Sequence, residues 1–186
     1  MRIVGGKYKG KSLNHIKSVI TRPLKDMVKE NIFNILSHSN DVGVNLENSK
    51  VLDLFSGTGS FGIECVSRGA KKVTFVEKDK NALQVLKKNL SDIKISNEAL
   101  LINDSVENYL SRNKDEKYNI FFFDPPFSDK KFKENLKSVR TFKNFLKNHI
   151  VIIHRERTAK DDFKDEINIL KIKIYGRSKI FFGVFY

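Results

Sequence analysis

A doubly wound α/β domain is what three features of this 186-residue chain predict. From residue 50 onward, short apolar strand-like runs alternate with stretches of helical periodicity, the pattern of a mostly parallel sheet with helices on both faces. The first of those runs breaks into a glycine-rich turn and a helical pattern at residues 51–62, VLDLFSGTGSFG. The chain closes on two strand-like runs joined by Tyr175-Gly176-Arg177-Ser178, a hairpin that gives the sheet an antiparallel C-terminal edge.

The elements follow in order. The opening MRIVGGKYKGKSL alternates β-like pieces around Gly5-Gly6 and predicts a small β-hairpin. Pro23 stands at a natural first helical position, and Leu24, Met27, Val28, Ile32, Ile35 and Leu36 recur at helical spacing until the polar stretch 37–40. After a loop through Gly43, core strands are expected at 50–55, 72–77, 99–103 and 119–123. Helices are expected between them at 60–68, 80–90 and 105–112. Phe132, Leu136, Val139, Phe142 and Leu146 mark a further helix, and strands near 149–154, 167–175 and 179–185 complete the chain. With no repeat, low-complexity tract or linker, residues 1–186 read as a single domain: a basic N-terminal extension over 1–40 and a Rossmann-like core over 50–186.

The composition, 40% hydrophobic and 31% charged, is ordinary for a soluble protein, but the formal net charge of +13 is not. It favours a polyanionic partner over a merely lysine-rich surface, because each phosphate neutralised releases counterions and steers association. Residues 1–30 carry eight Lys/Arg against Asp26 and Glu30, so nearly half the excess lies in the first sixth of the chain. There Arg2, Lys7, Lys9, Lys11 and Arg22 surround Tyr8, a mix suited to gripping a phosphate backbone and stacking on a base. Solvated charge on an arm is the competing reading. The lone Cys65 permits no internal disulfide and reads as a small buried residue. His15, His38, His149 and His154 show no metal-ligand spacing, and no metal is expected. No apolar run approaches membrane-spanning length, so a cytoplasmic protein without a membrane partner is expected.

In an open parallel sheet, ligands sit beyond the carboxyl ends of the strands. Four acids fall there: Asp53, Glu77, Asp104 and Asp124. Gly57, Gly59 and Gly62 spell G-x-G-x-x-G with Glu77 twenty residues after the first glycine, a spacing that on pattern alone fits a nicotinamide dinucleotide. Asp53, feeding that turn, would repel a pyrophosphate but suits a cofactor bearing an ammonium and a sulfonium, which is S-adenosylmethionine. Asp53 could also cap amides of the turn. Glu77 is placed to accept the ribose hydroxyls, while Asp79 reads as the N-cap of the next helix. Asp104 could accept from an adenine amine or form a capping box with Glu107. Phe55, Ser56 and Thr58 of the turn, with Lys78 and Ser105 beside the strand-end acids, complete the candidate cofactor-binding set.

Asp124-Pro125-Pro126-Phe127 is the candidate catalytic loop. Two prolines at a strand end fix the backbone and remove two N–H donors, leaving a carboxylate and carbonyls as acceptors. Acceptors from Asp124 and the Pro125 carbonyl would make an exocyclic amino nitrogen a better nucleophile, and Phe127 could stack on its base. An acceptor-only carboxylate matches the two neighbouring donors of guanine better than the donor–acceptor edge of adenine.

The chain resembles the RsmD family, bacterial 16S ribosomal RNA guanine-N2 methyltransferases. The resemblance rests on RIVGGKYKGKSL at 2–13, Arg22-Pro23, Glu30 to Asn34, VLDLFSGTGSFGIECVSRGA at 51–70, VTFVEKD at 73–79 and FFFDPPF at 121–127. It implies a class I S-adenosylmethionine-dependent methyltransferase, acting as a monomer on a guanine of the assembling small ribosomal subunit. That guanine is number 966 in the family's usual rRNA numbering. The N-terminal extension would help to hold RNA. The family's usual R-P-T-x-D-R-V-R-E is here Arg22-Pro23-Leu24-Lys25-Asp26-Met27-Val28-Lys29-Glu30. Three readings compete: a nicotinamide-dependent oxidoreductase, an adenine-N6 methyltransferase of DNA or RNA, and a non-catalytic RNA-binding assembly factor.

Overall fold

The structure is a computed structural model that describes residues 1–16, 24–38, 43–126, 129 and 131–186. Its elements run α1 (Asp26–His38), β1 (Lys50–Leu54), α2 (Ser60–Ser67), β2 (Lys72–Val76), α3 (Lys80–Ile93), β3 (Ala99–Ile102), α4 (Val106–Arg112), β4 (Tyr118–Phe123), α5 (Phe132–Phe142), β5 (Phe145–Glu156), β6 (Asn168–Tyr175) and β7 (Ser178–Val184). The strands form one seven-stranded sheet in the order β3-β2-β1-β4-β5-β7-β6. β1 to β5 pair in parallel, while β7 runs antiparallel to both β5 and β6. The switch point between β1 and β4 is where a crevice opens at the carboxyl ends of the strands. An antiparallel strand between β5 and β6 separates this order from the 3-2-1-4-5-6 arrangement of dinucleotide-binding folds.

Alternation along each strand divides the core between two faces. On one side Val51, Phe75, Phe122, Ile152 and Phe182 pack with α1, α2 and α3. On the other, Leu52, Phe121, Phe123, Val151 and Phe181 pack with α4 and α5. Four of the five residues of β1 and all eight of α2 are buried, so these elements are held by apolar contact more than by propensity. Phe33, Phe61 and Phe122 stack in series from α1 through α2 to the sheet.

The opening hairpin forms, but it is short: around the antiparallel Arg2–Ser12 bridge the Ile3 amide donates to the Lys11 carbonyl, the Gly10 amide to Ile3 and the Leu13 amide to Met1, while the amides of Val4 and Tyr8 donate to Glu64 and Ser67 of α2. Two expectations need correction. Met27 is 56% exposed and lies off the buried face of α1, which is made by Val28, Ile32, Phe33 and Leu36. Leu146 belongs to β5, not to the helix before it; Lys143 adopts a left-handed conformation that ends α5.

The extension is part of the fold. Ile3 and Leu13 enter the same core as α1 and α2. Lys29, fully buried, donates to the Arg2 carbonyl at 2.7 Å and the Ser60 hydroxyl at 3.2 Å, and lies 3.5 Å from Glu64. Glu64 also accepts from the Val4 amide and the Arg68 guanidinium, so both buried charges are satisfied. Among the described residues no helix is long and apolar enough to cross a membrane.

Candidate active site

The parallel register sets the four strand-end acids in a row. Asp53 is one residue from the end of β1, Glu77 and Asp124 follow the last residues of β2 and β4, and Asp104 comes two residues after β3. Together with the glycine turn they line one cavity of about 400 Å³. Its wall also takes in Phe55, Ser56, Gly57, Thr58, Lys78, Ser105, Pro125 and Pro126, so the turn after β1 and the diproline loop after β4 open onto the same space. Phe127 lies outside the described residues, as does Arg22. Gly59 and Gly62 are not in the wall.

The three glycines do different work. A Cβ on Gly59 would stand 2.3 Å from Leu86 and one on Gly62 2.2 Å from Phe75, so both let α2 seat against its neighbours. Gly57, at φ 55°, has open space where a Cβ would be, and its amide donates to Glu77 at 2.7 Å. The turn thus needs Gly57 and Gly59 for their left-handed backbone, and Gly59 and Gly62 for packing.

Asp53 is 1% exposed. One of its oxygens accepts the Gly62 amide at 2.9 Å and the other is buried with no partner. Burial pushes this carboxyl well up, against the Gly62 hydrogen bond, and the negative charges of Asp124 and Glu77 push the same way. Glu77 accepts from the amides of Gly57 and Asp79, tying the two loops together and leaving further lone pairs on each oxygen. Asp79 caps α3 through the Ala82 amide, as expected. At α4 the cap is Ser105, not Asp104: its hydroxyl accepts from Asn108, while Asp104 bonds Ser105, Asn108 and Arg112 and is held below the usual carboxylate range by the first two. In place of a capping-box pairing of Asp104 with Glu107, α4 therefore has a single N-cap at Ser105.

At the diproline loop, Pro126 gives its carbonyl to the Asp129 amide and to Arg155, anchoring the loop. The side chain of Asp124 is 24% exposed, and its Oδ1 lies 2.8 Å from His154 Nδ1. On the far side of that ring Nε2 is 2.9 Å from the Ser178 hydroxyl.

The basic extension divides. Met1, His15, Ile16 and Leu24 line the cavity, and Asn89 joins the two parts by donating to the Asn14 and Thr58 carbonyls. Lys7 and Tyr8 instead bond Ser67 at the other end of α2, with Lys7 and Lys11 over the Tyr8 ring. An eight-residue helix is about 12 Å long, so the turn holding Lys7, Tyr8, Lys9 and Lys11 stands away from the cavity. Arg2 pairs with Asp26 at 3.7 Å. An exposed cation does stand at the Asp124 end of the sheet: Arg157, whose amide donates to the Arg177 carbonyl beside Ser178.

The cavity's charge selects its ligand. Among the described residues seven carboxyl groups line it, at Asp53, Glu77, Asp79, Asp104, Glu107, Asp124 and Asp129, against the side-chain ammonium of Lys78 and the amino group of Met1, so a pyrophosphate would be repelled and a cation drawn in. Residues 1–184 match the family described as Conserved hypothetical protein 95. Ribosomal RNA small subunit methyltransferase D of Haemophilus influenzae is 36% identical over 179 residues, 95% of this chain and 89% of that one. The solved structure of Escherichia coli yhhF, proposed to be a methyltransferase, has a TM-score of 0.83 at 27% identity, covering 98% of this chain and 96% of that chain. That of HI0767 from Haemophilus influenzae, proposed to be a methylase, has a TM-score of 0.75 at 32% identity, with coverages of 98% and 96%. With the strand order, the acid-lined cavity and these likenesses in agreement, the chain belongs to the Conserved hypothetical protein 95 family, that of the RsmD methyltransferases, and has the class I methyltransferase fold.

Proposed function

We propose that this protein methylates the exocyclic N2 of a guanine in small-subunit ribosomal RNA, with S-adenosylmethionine as donor. The observation that carries the reading is the single cavity shared by the glycine turn, Glu77 and the Asp124-Pro125-Pro126 loop. The residues fit the cofactor. The unpartnered, buried oxygen of Asp53 suits its ammonium, Glu77 its ribose hydroxyls, and the space beside Gly57 a ligand in close contact with the backbone. When bound, S-adenosylmethionine would supply a methyl group on a sulfonium, the carbon–sulfur bond breaking to a neutral thioether as the amine's lone pair forms the carbon–nitrogen bond.

The protein's part is positioning and electrostatics. Asp124 and the Pro125 carbonyl accept hydrogens from the target's edge, and Asp124 takes the proton that the methylated nitrogen releases and passes it to water. Residues 124–126 offer this edge no backbone donor: the prolines have none, and the Asp124 amide is directed to the Leu54 carbonyl at 3.4 Å. Guanine, with N1–H and the 2-amino group side by side, matches such an edge, whereas the ring acceptor of adenine would face another acceptor. The RsmD name of the Haemophilus influenzae relative supports ribosomal RNA as the substrate class, and Arg157 and Arg177 at the Asp124 end of the sheet offer its phosphates a grip.

The test is transfer of a labelled methyl group to small ribosomal subunits from cells lacking the enzyme, followed by digestion to nucleosides. Label in N2-methylguanosine supports the reading. Label in N6-methyladenosine would replace the base, and no label in RNA would leave an assembly factor.

A further inference from the structure

We infer that His154 is a positioning residue for this methyl transfer, holding Asp124 so that one carboxylate oxygen is left to meet the substrate amine. The inference rests on the function proposed above for Asp124 and goes beyond it to a residue that does not line the cavity. The geometry comes from the sheet. Phe123 and Ile153 are register partners across β4 and β5, so the next residues, Asp124 just beyond the end of β4 and His154 still within β5, stand side by side. His154 is 3% exposed, and its Nδ1 reaches Asp124 Oδ1 at 2.8 Å. A carboxylate only accepts, so Nδ1 carries the proton and donates. The ring is steadied from the other side by Ser178, which opens β7 and stands 2.9 Å from Nε2.

The consequence is directional. Rotation of Asp124 about its side-chain bonds would break the Nδ1–H contact, so the carboxylate is fixed with Oδ1 turned to the protein and Oδ2 available to the cavity that the residue lines. An unpinned carboxylate would spread over orientations in which neither oxygen meets the amine in line with the donor, and misplacement of about 1 Å can cost roughly a hundredfold in rate. Among the described residues, the charged groups beside the ring include Asp124 at the end of β4 and Arg155 on β5, itself bonded to Asp161 at 2.7 Å. Burial lowers the His154 pKa, but the charge and hydrogen bond of Asp124 outweigh it, and the net direction is upward from 6.5.

Two measurements decide the matter. Imidazole NMR of the intact protein needs no turnover. His154 should titrate above 6.5 with Nδ1 protonated, and Asp124→Asn should shift that titration downward. An unmoved titration would overturn the pairing, whatever the enzyme's substrate proves to be. Steady-state transfer then tests the role. His154→Leu should lower kcat by about 10- to 100-fold with the KM for S-adenosylmethionine unchanged, whereas His154→Asn, which keeps a donor toward Asp124, should stay within about threefold of wild type. Equal losses in both variants, or wild-type kcat in His154→Leu, would refute positioning. Should His154→Leu not fold, Ser178→Ala serves in its place: a loss of about threefold or more in kcat supports the ring's tether, and unchanged kcat refutes it. Failure of wild type itself to methylate RNA would count against the proposed function instead.

Discussion

Replacing Asp53 with Asn should make the protein more stable and worse at holding its methyl donor. The substitution keeps the size of the side chain and an oxygen for the Gly62 amide, removes the charge, and puts an amide NH2 in place of the unpartnered oxygen. Burial raises the Asp53 pKa, opposed by the Gly62 bond and assisted by Asp124 and Glu77. The folded state therefore keeps the Asp53 proton to higher pH than the unfolded chain, whose carboxyl titrates near ~3.9. Stability attached to this group is present below that unfolded pKa and is lost as pH rises through the folded one. Asn carries no such loss. The Tm of Asp53→Asn should exceed that of wild type at pH 8, and the gap should close toward pH 4. Affinity moves the other way. A charge-assisted hydrogen bond contributes about 1.5–3 kcal/mol, which is roughly 10- to 150-fold in Kd. Calorimetric titration with S-adenosylmethionine at pH 8, alongside thermal melts at both pH values, measures the two effects on one preparation. Wild-type affinity in Asp53→Asn, or a lower Tm at pH 8, would refute the assignment of this carboxylate to the ammonium.

Three further outcomes are expected. Asp124→Ala should abolish methyl transfer while leaving the Kd for S-adenosylmethionine within about threefold, as read by labelled transfer and calorimetry; retained turnover would remove the acid from the mechanism. Gly62→Ala places a Cβ 2.2 Å from Phe75 and 2.8 Å from Val73, an overpacking worth about 1–3 kcal/mol and roughly 2–12 °C in Tm, to be measured by thermal denaturation. Arg157→Gln with Arg177→Gln should weaken RNA binding and reduce its log–log salt slope by about 0.7–0.9 for each phosphate no longer neutralised, measured by filter binding across salt. Lys7, Lys9 and Lys11 changed to Gln form the comparison, and a larger effect from that trio would mean that the RNA reaches round the far end of α2.

The fold was legible because its signals are local. Apolar runs such as 119–123 end in an acid or a glycine turn, and each of those strands lies within about two residues of where periodicity put it. The four strand-end acids were legible for the same reason, since a strand that stops at Asp124 or Glu77 must leave it at the sheet's edge. What was not legible depends on register. His154 meets Asp124 only because β5 pairs with β4 at Ile153 and Phe123, thirty residues apart in the chain. Lys29 counted as one more cation of the basic extension, yet it is fully buried and paired with Glu64, and no periodicity announces a charge whose partner lies 35 residues away. The basic opening segment announced its charge but not its address; the contacts with Ser67 that set it at the end of α2 come from backbone amides, which carry no compositional trace.

Ile3 and Leu13 are cemented into the interior, and amides at Val4, Lys7 and Asn14 are bonded to α2 and α3. Residues 1–16 are thus not a tail waiting to be organised by its target. An encounter of RNA with residues 1–16 would meet a surface already formed, and ordering of these residues should add little to its heat-capacity change. Its speed would follow diffusion and ionic strength.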